Sequence, residues 1–183
     1  METRPVLGIL GVLGSLLLAA CGSSSAPTPV PAQIGSSTRH DGMRLTLTLP
    51  VESAKAGEPI AFTTTVEYLG PEPSIQFDAA GGELVGHGIR AFDGITYGPW
   101  SFNLDCTQYE LKRGEVQEMP LFLATSVSHD DPNGAIITSA WQDGQLRLPA
   151  GLWAIDAAMR YYPEPDCDGP ERWIGATVFV TVR

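Results

Sequence analysis

Side chains able to do chemistry are sparse in this 183-residue chain, and their spacing decides what they can do. The histidines, His40, His87 and His129, have no second ligand three or four residues away, so the sequence carries no zinc signature. The stretch "SHDDPNG", residues 128–134, gathers oxygen ligands as a weak calcium loop would. It lacks the alternating ligands and distal glutamate of an EF-hand and reads as a solvated turn. No serine stands on a G-x-S-x-G elbow, so Ser-His-Asp catalysis has no nucleophile. Glu83, Asp93, Asp105 and Glu110 fall in turns or on polar strand faces, and nothing in the sequence selects two of them as a glycosidase pair. "GGELVGHG", residues 81–88, has neither the lysine of a P-loop nor the strand-then-helix setting of a dinucleotide site, and reads as a hairpin or bulged strand. The expectation is no catalytic residue, no metal and no cofactor: not an enzyme. What remains are large aromatics at connections, Tyr97 among them. Trp100, Trp141, Tyr162 and Trp173 are the candidate binding residues, since exposed aromatics anchor interfaces, the competing use being to plug the ends of the fold.

The N-terminus is a targeting segment by composition. Arg4 gives a positive flank, and residues 6–20 carry no charge, a run short of the about 20 residues that span a bilayer. Leu18-Ala19-Ala20-Cys21 resembles the bacterial lipobox, in which signal peptidase cuts before a lipid-modified cysteine. That resemblance implies a signal peptide over 1–20 and a diacylglyceryl group on the Cys21 thiol, with palmitate-type chains holding the protein to the membrane. The alternatives are an ordinary signal peptide with a chance cysteine, or an uncleaved helix. Residues 21–38, rich in serine and proline, cannot bury a core and read as a disordered tether. The expected location is the extracytoplasmic face of a cell membrane, lipid-anchored. In that compartment Cys106 and Cys167 remain as an even pair and are expected to be joined, the alternative being two separate buried thiols. Closing a loop of about 60 residues stabilises a fold by roughly 4 kcal/mol in the chain-entropy treatment.

The net charge is −10, and lysine is confined to Lys55 and Lys112. Such a domain is a poor partner for nucleic acid and is repelled by an anionic membrane surface. The expected partners are the membrane, through the lipid, and a protein or small ligand.

Residues 39–183 must supply the fold that positions these groups. Apolar residues alternate in four stretches: Leu45, Leu47, Leu49; Ile60, Phe62, Thr64, Val66, Tyr68; Trp153, Ile155, Ala157, Met159, Tyr161; and Ile174, Ala176, Val178, Val180, Val182. Period two with β-branched and aromatic residues means half-buried antiparallel strands. Weaker strands are expected over 75–79, 88–92, near Phe102, 119–126 and 146–148. Turns are expected at Gly57-Glu58-Pro59, Asp93-Gly94, Arg113-Gly114-Glu115, Pro132-Asn133-Gly134 and Pro149-Ala150-Gly151. The fold class is therefore all-β, an immunoglobulin-like antiparallel β-sandwich of about seven to nine strands, with a closed barrel as the alternative.

"AGEPIAFTTTVEYLG", "YELKRGEVQEMPLFL" and "LRLPAGLWAIDAAMRYY" occur in that order and resemble phrases of the Bacillus-type intracellular proteinase inhibitor family (BsuPI) over about residues 44–160. Leu111-Lys112-Arg113-Gly114-Glu115 fills that family's first turn with Arg for Pro, and Leu148-Pro149-Ala150-Gly151-Leu152-Trp153 its second with Trp for Tyr. The resemblance implies a sandwich that binds through loops. It transfers no inhibitory residue, because no inhibitory loop matches. The expected function is a lipid-anchored extracytoplasmic binding domain, with proteinase inhibition as one version. A structural or assembly lipoprotein of the cell envelope is the alternative, and a carboxylate-dependent hydrolase a third and weaker reading.

Overall fold

Alternation along the chain becomes layering in space. The structure is a computed structural model and describes residues 34–80, 83–91, 96–97, 105–121, 139–142 and 144–183. These all fall within one compact unit, Pro31–Arg183. The strands in chain order are β1 (Ile34–His40), β2 (Met43–Leu49), β3 (Ser53–Ala54), β4 (Pro59–Ile60), β5 (Thr63–Tyr68), β6 (Ser74–Ala80) and β7 (Val85–Ala91). They continue with β8 (Thr96–Tyr97), β9 (Cys106–Lys112), β10 (Val116–Met119), β11 (Trp141–Gln142), β12 (Gln145–Arg147), β13 (Gly151–Tyr161) and β14 (Arg172–Val182). Among the described residues, helix is confined to 139–140 and a 3-10 turn, Pro165–Cys167.

One sheet runs β1-β2-β5-β10 and the other β3-β14-β13-β7-β8; every pairing is antiparallel except β3 with β14. The inner faces meet in a single apolar core. Met43, Leu45, Leu47 and Leu49 of β2 are fully buried, while Arg44, Thr46 and Thr48 between them are half-buried. The same alternation holds on β14, and all ten residues expected to face inward on β13 and β14 are buried, although on β13 the intervening Ala154 and Ala158 are buried too. A two-stranded ribbon, β6-β9, bridges the two sheets. Asp78 exchanges backbone hydrogen bonds with Tyr162 beyond β13, and Gly114 N–H donates to Tyr68 O of β5 at 2.8 Å. Three strands form a further small sheet, β11-β12-β4. The architecture is an all-β sandwich.

Two elements depart from the sequence reading. Residues 34–38, assigned to the tether, form most of β1, so the folded domain starts upstream of residue 39. An exposed strand beside one partner needs only backbone hydrogen bonds, which the polar run Gly35-Ser36-Ser37-Thr38-Arg39 supplies as well as an apolar one. Asp41 and Gly42 close the β1–β2 hairpin with φ of 48° and 78°, the positive pair that a two-residue turn of matching twist requires. Strand β9 was likewise not expected, since Leu111 is its one fully buried side chain. Strand β7 begins at Val85 rather than Gly88, and β10 ends at Met119, where a strand was expected to start. The pieces expected near Phe102 and over 122–126, and the turns at 93–94 and 132–134, lie outside the described residues.

Candidate functional site

The alternation that points one face of β13 and β14 into the core points the other outward, and the strand register decides which outward residues meet. Arg160 pairs with Trp173, Ala158 with Gly175, Asp156 with Thr177 and Ala154 with Phe179. Trp173 and Phe179 are 46% and 50% exposed. Six residues apart on one strand, they stand about 20 Å from each other.

At one end of this face Arg160 organises a cluster. Its guanidinium carbon lies 5.8 Å from the ring centroid of Tyr162 and 5.8 Å from that of Trp173, within cation–π range of both. Glu171 Oε2 is 3.2 Å from Arg160 Nε. The Tyr162 hydroxyl donates to that same carboxylate oxygen at 2.9 Å and accepts from Arg160 Nη2 at 3.2 Å. Partial burial, then the hydrogen bond donated to Glu171, holds the Tyr162 phenol above its ordinary pKa, so it stays a neutral donor. The chain between Tyr162 and Glu171 contains the 3-10 turn, which the Cys106–Cys167 disulfide ties to β9 with Cα atoms 5.9 Å apart. The expected staple is therefore present, and it fixes the loop on which this cluster depends.

Two rows along, Asp156 accepts from Arg90 Nε at 2.6 Å and Nη2 at 3.0 Å, and from Thr177 Oγ1 at 2.6 Å. The hydrogen bonds that Arg90 donates to Asp156 hold its guanidinium above its ordinary pKa, against a smaller opposing effect of burial. Between these polar groups the Ala158–Gly175 row offers no side chain beyond a methyl. The face as a whole carries two exposed aromatics, two guanidinium–carboxylate pairs and a low row between them.

Of the four aromatic candidates, the register brings Tyr162 and Trp173 together. Trp141 is half-buried against the core, and its buried Nε1 has no hydrogen-bond partner among the described residues. Trp100 and Cys21 lie outside the described residues, as do His129 and the "SHDDPNG" stretch. His87 is a core residue on β7 whose Nε2 is 2.8 Å from Thr64 Oγ1 of the opposite sheet. His40 is exposed beside Asp41, at 3.6 Å. Among the described residues, Asp78, Cys106 and Cys167 alone bring three metal-ligating side chains together. Sequence reasoning missed Arg160, Glu171, Arg90, Asp156 and Phe179. For Arg160, Asp156 and Phe179 a partial signal was available, since they occupy the outward positions of β13 and β14, whose inward positions are read from the alternation; Arg90 on β7 and Glu171 before β14 carry no such signal. No family model matches this chain, and no curated protein matches it.

Proposed function

We propose that the chain is a lipid-anchored binding domain on the extracytoplasmic face of a cell membrane, and that it engages its partner through the outer face of β13–β14. The observation that carries the reading is Trp173, half exposed yet held on an Arg160 guanidinium that Glu171 and Tyr162 already position. A large aromatic fixed before binding loses little conformational freedom on contact, and arginine beside tryptophan is the composition of energetic centres in interfaces. The anchor rests on Leu18-Ala19-Ala20-Cys21 and the serine- and proline-rich segment that follows. Such an attachment leaves the folded domain free to meet partners close to the membrane.

Photo-cross-linking from position 173 in intact cell envelopes tests the binding face. An adduct that is lost with Arg160→Ala, and absent when the probe is moved to Thr46 on the outer face of the other sheet, supports it. Equal yields from both positions overturn it. A proteinase as the adduct would select the inhibitory version of the reading. For the anchor, a palmitate analogue should label the chain and not its Cys21→Ser variant, which should leave the membrane fraction.

A further inference from the structure

We propose that Asp78, Cys106 and Cys167 form a redox-gated site for a borderline divalent cation such as Zn2+, shut while the disulfide stands and open once a dithiol reductant has cleaved it. The Asp78 carboxylate, on β6, is 5% exposed. Its Oδ1 has no hydrogen-bond partner among the described residues, and its Oδ2 lies 3.6 Å from Cys106 Sγ. In the disulfide that sulfur carries no proton, so the contact is not a hydrogen bond. A carboxylate taken out of water without a compensating donor or cation is costly, and an oxidised sulfur offers it neither.

The arrangement suits a metal ion. One ligand atom from each of the three residues lies within 4.8 Å of the other two. A tetrahedral ion with Zn–S near 2.3 Å and Zn–O near 2.0 Å sets its sulfur and oxygen ligands about 3.5 Å apart. The 3.6 Å between Asp78 Oδ2 and Cys106 Sγ already has that value. Asp78 is fixed by reciprocal backbone hydrogen bonds with Tyr162, at 2.9 and 2.7 Å, and Cys106 by pairing with Ala80. Cys167 is the ligand able to move. It ends a three-residue turn in which Asp166 and Cys167 both hold positive φ, at 60° and 54°, a conformation that relaxes once the covalent tie is gone. Cys106 is exposed and Cys167 half-exposed, so ion and reductant both enter from solvent, with the carboxylate beneath.

The chemistry balances. A dithiol passes two electrons and two protons to the Cys106–Cys167 bond and becomes a disulfide itself. A divalent cation then displaces the two thiol protons, leaving two thiolates and the Asp78 carboxylate on the ion and a fourth position facing solvent.

Cobalt(II) alone serves as the probe, with the full chain carrying Cys21→Ser so that no other thiol competes. After reduction by a phosphine, which takes up oxygen from water as the disulfide accepts its electrons, anaerobic titration should give one Co2+ per chain. Thiolate-to-cobalt charge transfer and tetrahedral visible bands should appear, and Zn2+ should displace them. The oxidised chain should show neither. Asp78→Asn should weaken Co2+ binding by about tenfold or more, whereas Asp105→Asn, beside the site, should leave it unchanged. The double variant Cys106→Ser/Cys167→Ser retains Asp78 and should lose the bands. Bands of equal strength and affinity in Asp78→Asn, or in the chain unfolded by guanidinium, overturn the proposal, as does a reduced chain that gives no bands.

Discussion

Replacing Tyr161 by phenylalanine removes one oxygen from a buried side chain and should make the fold weaker at neutral pH yet more tolerant of alkali. The Tyr161 ring is 1% exposed and meets Phe77 edge-on, centroids 5.6 Å apart, packing that phenylalanine retains. The hydroxyl donates at 2.9 Å to Asp41 Oδ2, tying the end of β13 to the β1–β2 turn. A hydrogen bond to a charged acceptor contributes about 1.5–3 kcal/mol. Asp41 keeps His40 Nε2 at 3.6 Å and Arg172 Nε at 3.9 Å after the change, so the lower end of that range, about 1.5 kcal/mol, is expected at pH 7. Burial, then the hydrogen bond to Asp41, then the Asp41 charge raise the Tyr161 phenol well above its ordinary value, with Arg172 opposing. A group whose pKa is higher folded than unfolded contributes fully below the unfolded pKa, about 10 for tyrosine, and loses that contribution as pH rises beyond it. Above about pH 10 the native protein should therefore lose about 1.4 kcal/mol per pH unit more than Tyr161→Phe does. Tyr109 and Tyr162 are also raised, but both are present in the two proteins and cancel in the comparison. Urea titrations followed by circular dichroism, at pH 7 and at steps through the alkaline range, measure both effects. Stability curves that stay parallel above pH 10 would refute the reasoning.

Thr64→Val is close to isosteric and removes the hydroxyl that lies 2.8 Å from the buried His87 Nε2, so stability should fall by about 1–3 kcal/mol in urea titration. Cys106→Ser/Cys167→Ser opens a loop whose ends are 61 residues apart and should cost about 4 kcal/mol, less any structure that the unfolded chain retains. Because that loop also positions Tyr162 and Glu171, the same variant should change the fluorescence of Trp173. Gly70→Ala forces a methyl into the buried ring of Tyr68 and should destabilise by about 1–3 kcal/mol, whereas Gly57→Ala meets no neighbouring atom and should cost only the strain of its positive φ.

Much of this fold is legible because the core is built from alternation, and alternation survives in a single sequence. Leu45, Leu47 and Leu49 state a face outright. The unread strands are those with few buried side chains. β1 is kept by its backbone and by the Asp41-Gly42 turn, and β9 by its pairing with β6 and a cysteine bond. The missed turn carried a signal, since Asp-Gly joins hairpins. It went unread because the polar residues before it looked like tether.

The candidate face was illegible for a different reason. Inward alternation on β13 and β14 fixes the parity of their pairing, because a slip of one residue would turn Met159 and Ile174 out to solvent. Parity alone puts Arg160 and Trp173 on the same face and not opposite each other. A slip of two residues would keep every buried side chain inward and set Arg160 against Glu171 or Gly175. The discrimination comes from the segment joining the strands: a 3-10 turn with two residues at positive φ, held by Cys167 to β9, and Tyr162 pinned by Asp78. The disulfide thus does more than shorten the unfolded chain. It ties the segment joining the two strands to β9, so the candidate face, where the tryptophan rests on the arginine, depends on the staple as well as on the strands that carry it.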